Sequence, residues 1–196
     1  MRAYASVVQA RFRMLLQYRA AALAGFGTQL FWGLIRVMIF DAFYRSSSAA
    51  QPMSYSETVT YLWLIQAMLL LLPWTIDAEI RAMVRDGSLA YELARPTDLY
   101  WFWYCRNLAT RTAPVLLRAT PLFVAAGLFF GMAPPPNLGA AAAWLLTTLG
   151  AIVLGSAIST LMSISLLWTI AGDGVARLVA TLATMLSGSV IPLPLF

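Results

Sequence analysis

Residues 138–170 read LGAAAAWLLTTLGAIVLGSAISTLMSISLLWTI, a run without one charged side chain. As a helix rising 1.5 Å per residue it extends about 50 Å, more than the roughly 30 Å hydrocarbon core of a bilayer. A run this long and uniform satisfies its backbone internally and offers lipid its side chains, as a membrane-crossing helix must. Composition carries the same message for the rest of the chain. Of 196 residues 61% are hydrophobic and 11% charged, against about a quarter charged in an ordinary globular domain. The expected fold class is an all-α integral membrane protein, a single transmembrane domain over 1–196.

Working outward, APPPNLG at 133–139 closes the run on its amino-terminal side, because consecutive prolines cannot sit inside a helix. Four further spans are expected, at 20–40, 59–76, 112–132 and 175–191, with the long run itself spanning 140–170. An AGDG turn at 171–174 precedes the last of them, which passes through SGS at 187–189 and stops at VIPLPLF. Trp144 and Trp168 are read as interface markers. Ala151, Gly155, Ser156, Ser159 and Ser163 form one wall of small residues, and Gly127 and Gly131 make a G-x-x-x-G; both patterns are read as helix packing.

The first 19 residues place Arg2, Ser6, Gln9, Arg13 and Gln17 on one helical face and Tyr4, Val8, Phe12 and Leu15 on the other. A basic amphipathic helix of this kind lies in the headgroup region. The apolar run after it exceeds the roughly 7–15 residues of a cleavable signal core, so the first span is expected to be retained. Within the spans, Arg36 stands four residues from the expected boundary, where it either snorkels out or faces a substrate. Arg118, seven residues beyond Arg111, is expected to snorkel back to the side that Arg111 occupies. Gln66 is read as an interhelical hydrogen bonder or a pathway group, and Pro73 as a bend near the end of the second span.

All 13 basic residues are arginine. Segments 1–19, 77–118 and 171–177 carry 4, 6 and 1 of them, whereas loops 41–58 and 133–138 carry 1 and 0. By the positive-inside rule the amino terminus and the 77–111 segment are expected in the cytoplasm. The missing lysine excludes a phosphate loop of the G-x-x-x-x-G-K-[ST] type. The missing histidine excludes His-based metal sites and Ser/His or Cys/His nucleophile pairs. Cys105 is alone and is read as a small hydrophobe.

Between the second and third spans lies DAEIRAMVRDGSLAYELAR, 77–95. Ile80, Met83 and Val84 make an apolar stripe, Glu79, Arg81, Arg85 and Asp86 face elsewhere, and Gly87 ends a short amphipathic helix. A second piece from Ser88 ends before Pro96, and Thr97 and Asp98 cap the aromatic run LYWFWY, 99–104, beside Arg106. That basic aromatic run is read as an interfacial belt and not as a nucleic-acid surface.

The stretch IRAMVRDGSLAYELARPTDLYWFWYCR, 80–106, resembles the cytoplasmic segment of the permease subunits of type-2 ATP-binding-cassette exporters: helix, Gly87, Leu93, the basic residue and proline Arg95–Pro96, then aromatic re-entry. The amino-terminal helix, the span order and the SGSVIPLPLF turn fit the same pattern over nearly the whole chain. The resemblance implies a six-span fold of which the carboxyl-terminal span is missing from this sequence. It implies a half-transporter in a bacterial plasma membrane, exporting substrate as a homodimer or heterodimer with a second permease subunit. ATP and magnesium would be held by a separate ATPase subunit, and this chain would carry no cofactor, metal or catalytic residue. The partner contact would then fall on Glu79, Arg81, Arg85, Asp86 and Glu92, with Gly87, Arg95 and Pro96 shaping the turns. Gln66 and Arg36, taken as the strongly polar groups of the first two spans, would line the pathway.

Two other readings bear on the same residues. DGSLAYELAR superficially matches the D-G-x-x-A-R core of CDP-alcohol phosphotransferases, but Tyr91 stands where arginine is needed and Met83 where the first aspartate is needed, and a two-metal site needs converging carboxylates. A non-catalytic membrane bundle, a pore or an assembly component, is compatible with the same sequence.

Overall fold

The computed structural model describes residues 2–17, 19–47, 51–169 and 172–190, and among these every regular element is helical. In order they are α1 (Arg2–Leu16), α2 (Arg19–Ser46), α3 (Tyr55–Met68), a 3₁₀ turn (Leu69–Leu71), α4 (Ala78–Asp86), α5 (Leu89–Leu93), α6 (Leu99–Phe129), α7 (Leu138–Thr169) and α8 (Asp173–Leu186). Among the described residues three helices are long and apolar enough to cross a membrane: α2 from Ala20, α6 and α7. Of the expected segments, positions 1 and 18 of the first helix, 48–50 of the serine-rich loop, 170–171 at the fourth boundary and 191–196 at the last lie outside the described residues.

Several helices begin or end away from the expected span ends, each for a local reason. α6 starts at Leu99, well before position 112, because the Asp98 carboxylate accepts the Trp101 backbone N–H at 2.9 Å and caps the aromatic run as the helix's own first turns. It continues through Pro114 and Pro121. α3 stops at Met68, short of position 76. Leu72, which precedes Pro73, is extended (φ −68°, ψ 143°), as the proline ring requires of its predecessor. Pro73 therefore follows a helix end and bends nothing. The Trp74 indole N–H donates to the Leu69 carbonyl at 2.9 Å, satisfying one group freed there. At the start of α3, Ser54 and Glu57 exchange hydrogen bonds in a capping box, and the bonds from Ser54 hold the Glu57 carboxyl below the usual carboxylate range. The G-x-x-x-G is not a packing motif within this chain. A Cβ on Gly127 would meet nothing within 4 Å, and Gly131 (φ 72°) lies beyond the helix end.

Side-chain pairs fix the topology. Gln29 with Gln66 and Tyr44 with Thr58 set α2 antiparallel to α3, and Asn107 with Thr160 and Phe123 with Trp144 set α6 antiparallel to α7. α1 runs alongside the first half of α6 in the same direction, with the Tyr4 hydroxyl accepting the Asp98 backbone N–H. α8 leaves Asp173 near α4 and ends where Tyr61 donates to the Gly188 carbonyl. Acidic and basic side chains thus gather at one end of the bundle, around α4 and α5, and the proline loop 133–136 sits at the other.

The core falls into two parts. Trp63, Leu122, Val115 and Ile152 anchor the centre among α2, α3, α6 and α7, while Ile80, Trp103, Met162, Leu166 and Ala176 form a second cluster at the charged end. Gly155, Ser156, Ser159 and Ser163 of the small-residue wall are buried, and Ala151 is exposed. A Cβ on Gly155 would come within 2.9 Å of the Leu71 carbonyl oxygen, so this glycine is where α7 approaches backbone.

Candidate functional site

The charged end is assembled around α4. Its amino terminus is Asp77, whose carboxylate accepts the Glu79 backbone N–H at 2.8 Å, and its carboxyl terminus is Gly87 in the left-handed conformation (φ 77°). Ile80 is fully buried, and Met83 and Val84 pack on the same cluster, so the apolar stripe seats the helix on the bundle. Gly87→Val is expected to cost about 1–2 kcal/mol, because a side chain in left-handed backbone clashes with its own carbonyl. Gly127→Ala, at an open helical position, should not destabilise. Thermal unfolding of both variants in detergent checks this; equal midpoints would contradict it.

One face of α6 holds the segment in place. Trp103 and Arg106 stand three residues apart, hence on one side of the helix. The Trp103 indole N–H donates to Glu92 at 2.8 Å. Arg106 reaches Glu79 at 2.6 Å, Asp77 at 3.3 Å and Glu92 at 3.8 Å. Arg11 of α1 adds a second cation, at 2.7 Å from Glu79 and 3.7 Å from Asp77. On the far side of α4, Arg81 pairs with Asp173 of α8 at 2.6 Å, with Arg85 at 3.9 Å. α4 is therefore tied by ion pairs to α1, α6 and α8 at once.

The residues expected at a partner surface divide accordingly. Glu92 is buried against Trp103 and Arg106, and Glu79, though about half exposed, is bonded to two arginines. Both carboxylates work inside this chain. Arg81 and Arg85 serve Asp173. The Ser88 side chain, and then its backbone N–H donating at 2.9 Å, hold the Asp86 carboxyl below the usual carboxylate range. Asp86, Gly87, Arg95 and Pro96 are exposed, and Arg95 stands over the Phe102 ring at 5.9 Å. Beside them Tyr91 and Leu93 are 78% and 61% exposed, and neither is among the residues expected at the partner contact. Their signal was available: two large apolar side chains in a five-residue helix that has only one buried face.

The expected pathway residues are not brought together. Gln66 is sealed in the core, its amide N–H bonded to Gln29 of α2, a polar group of the first span that the sequence reading missed. Arg36 lies ten residues before the end of α2, and its Nη1 is buried with no hydrogen-bond partner among the described residues. Arg111 donates instead to the Leu71 carbonyl and to Ser159, and with Asp77, Asn107 and Thr110 it lines a polar cavity of about 200 Å³ beside the broken end of α3. Near the opposite end, Leu64, Phe123, Met132, Pro134 and Trp144 line an apolar cavity of about 350 Å³. No cluster of metal-ligating side chains occurs among the described residues.

Glu79, Arg81 and Arg85 of α4 are each bonded to another helix, whereas Asp86 bonds to Ser88 just beyond the helix end. A scan against known protein families finds no match for this chain, and no curated protein or solved structure matches it either.

Proposed function

We propose that this chain is the membrane-spanning permease subunit of a type-2 ATP-binding-cassette exporter, moving a substrate out of the cytoplasm with energy from ATP hydrolysed on a partner subunit. The observation that carries the reading is α4 and α5 themselves. They form a short amphipathic element fastened to three helices of a membrane bundle by ion pairs, with an apolar and basic tip, Tyr91, Leu93 and Arg95, turned outward. A partner that presses on this tip moves α6 and α8 with it, a rigid-body transmission of the kind switching proteins use.

In this reading the charged end faces the cytoplasm of a bacterial cell, following the arginine bias. α2, α3 with its 3₁₀ turn, α6, α7 and α8 make five crossings. The first three turns of α6 project from the membrane beside α1. A second permease subunit completes the pathway, and the ATPase holds ATP and magnesium.

Pull-down of the full-length protein from native membranes in mild detergent tests the reading. It should recover an ATP-binding-cassette ATPase in near-equal amount, and the complex should show ATPase activity that responds to membrane reconstitution. Recovery of the chain alone after crosslinking would favour a pore or assembly component instead.

Coupling has its own test. Asp173→Lys reverses the charge that Arg81 and Arg85 face, and because these groups are partly exposed it should change stability by less than about 1 kcal/mol. Transport per ATP hydrolysed should nonetheless fall, and Arg81→Glu with Arg85→Glu in the same chain should restore it. Unchanged coupling in Asp173→Lys would remove α8 from the transmission path.

A further inference from the structure

A third cavity, of about 360 Å³, lies where α1, α2, α4 and α6 meet. Its walls combine two kinds of surface. Met14, Leu15, Pro114 and Leu117 supply carbon, and Arg11 and Arg118 supply guanidinium groups. The buried Nε–H of both arginines has no hydrogen-bond partner among the described residues, as in Arg81, Arg106 and Arg111, so what sets this cavity apart is its lining: two guanidinium groups beside an apolar wall.

The charges narrow its nature. Arg118 has no carboxylate within 4.0 Å among the described residues, whereas every close acidic neighbour of the cavity is already engaged. Glu79, which also lines it, is bonded by Arg11 at 2.7 Å and Arg106 at 2.6 Å. Gly25 of α2 is the floor under the Arg118 guanidinium, and a Cβ there would overlap it. The absence of that Cβ lets the side chain fold against α2.

We propose that this cavity binds an anionic phospholipid, its phosphate accepting from Arg11 and Arg118 and its acyl chain lying against Met14, Leu15 and Leu117. A cation at one end and hydrocarbon along the walls match an amphiphile better than a free anion, and the bundle carries helices of bilayer length on either side. The site would pin α1 to the junction of α2 and α6 and make that junction sensitive to lipid charge. It depends on membrane residence alone and stands whether or not the chain is a permease.

Full-length protein in phosphatidylcholine nanodiscs doped with phosphatidylglycerol, analysed by native mass spectrometry, tests it. The wild-type chain should retain phosphatidylglycerol in preference to phosphatidylcholine. Arg118→Gln should weaken that preference roughly tenfold or more, the scale of a charged hydrogen bond, while Arg118→Lys keeps most of it. Gly25→Ala retains the charge but displaces the guanidinium, and should also lose the preference; it keeps the test decisive if Arg118→Gln folds poorly by circular dichroism. Retention in the nanodisc's own lipid ratio, or equal preference in wild type and both losing variants, would overturn the proposal. Displacement of all bound phosphatidylglycerol by inorganic phosphate would overturn its lipid part and leave a simple anion site.

Discussion

Arg106→Ala is expected to cost about 3–5 kcal/mol of stability, the range for removing one partner of a buried ion pair. The reason lies in what stays behind. Asp77 is 5% and Glu92 9% exposed at the side chain, and both reach their arginine inside the protein. Without Arg106 the Asp77 carboxylate keeps the Glu79 backbone N–H at 2.8 Å and Arg11 at 3.7 Å, and Glu92 keeps the Trp103 N–H, less than a desolvated charge needs. Glu92→Gln, which preserves an acceptor for Trp103 and leaves Arg106 two other carboxylates, should lose only about 1 kcal/mol. Denaturant titration in detergent, followed by tryptophan fluorescence, measures both. An Arg106→Ala variant within about 1 kcal/mol of wild type would mean that the cluster is hydrated and that α4 is held mainly by Ile80 and its neighbours.

The same cluster shows where sequence reasoning ends. The uncharged run at 138–170 and the Ile80, Met83, Val84 stripe ending at Gly87 were legible because each is a local pattern: one residue type, one period, one stop signal. α7 and α4 follow them closely. The ion pairs were not legible. Arg11 meets Glu79 across 68 positions of sequence, and nothing local marks Asp173 as the residue that Arg81 will face. Without the helix packing, Glu79 and Glu92 read as solvent-facing groups free for a partner, whereas the fold spends both on Arg106. The Asp98 cap on the aromatic run was legible as a local start signal, but not that the helix it starts runs on without a break to Phe129 through Pro114 and Pro121. In the first span the reverse occurred: Gln29 looked unremarkable until α3 placed Gln66 against it.

At the centre of the bundle the largest packing loss is expected from Trp63→Ala, about 3–5 kcal/mol by analogy with large-to-small core substitutions. Trp63 of α3 is completely buried against α2, its ring tilted 30° to that of Phe130 at 5.4 Å, and its six-membered ring lies over Gly33, where a Cβ would collide with it. In a bilayer, where lipid tails are as apolar as leucine, helices associate through such fitted contacts more than through expulsion of water. The fit matters more than the polarity here, because the Trp63 indole N–H has no hydrogen-bond partner among the described residues. Trp63→Phe should therefore be tolerated within about 1.5 kcal/mol, since it gives up volume but also an unsatisfied donor. Gly33→Val tests the opposite wall and should cost about 1–3 kcal/mol by overpacking. Combining Gly33→Val with Trp63→Ala should recover part of the loss, because the new side chain enters the space the ring vacates and the two sites share one contact. Strict additivity in that double-mutant cycle would show that α2 and α3 are held apart from this pair, and would shift the bundle's central contact to the Gln29–Gln66 hydrogen bond.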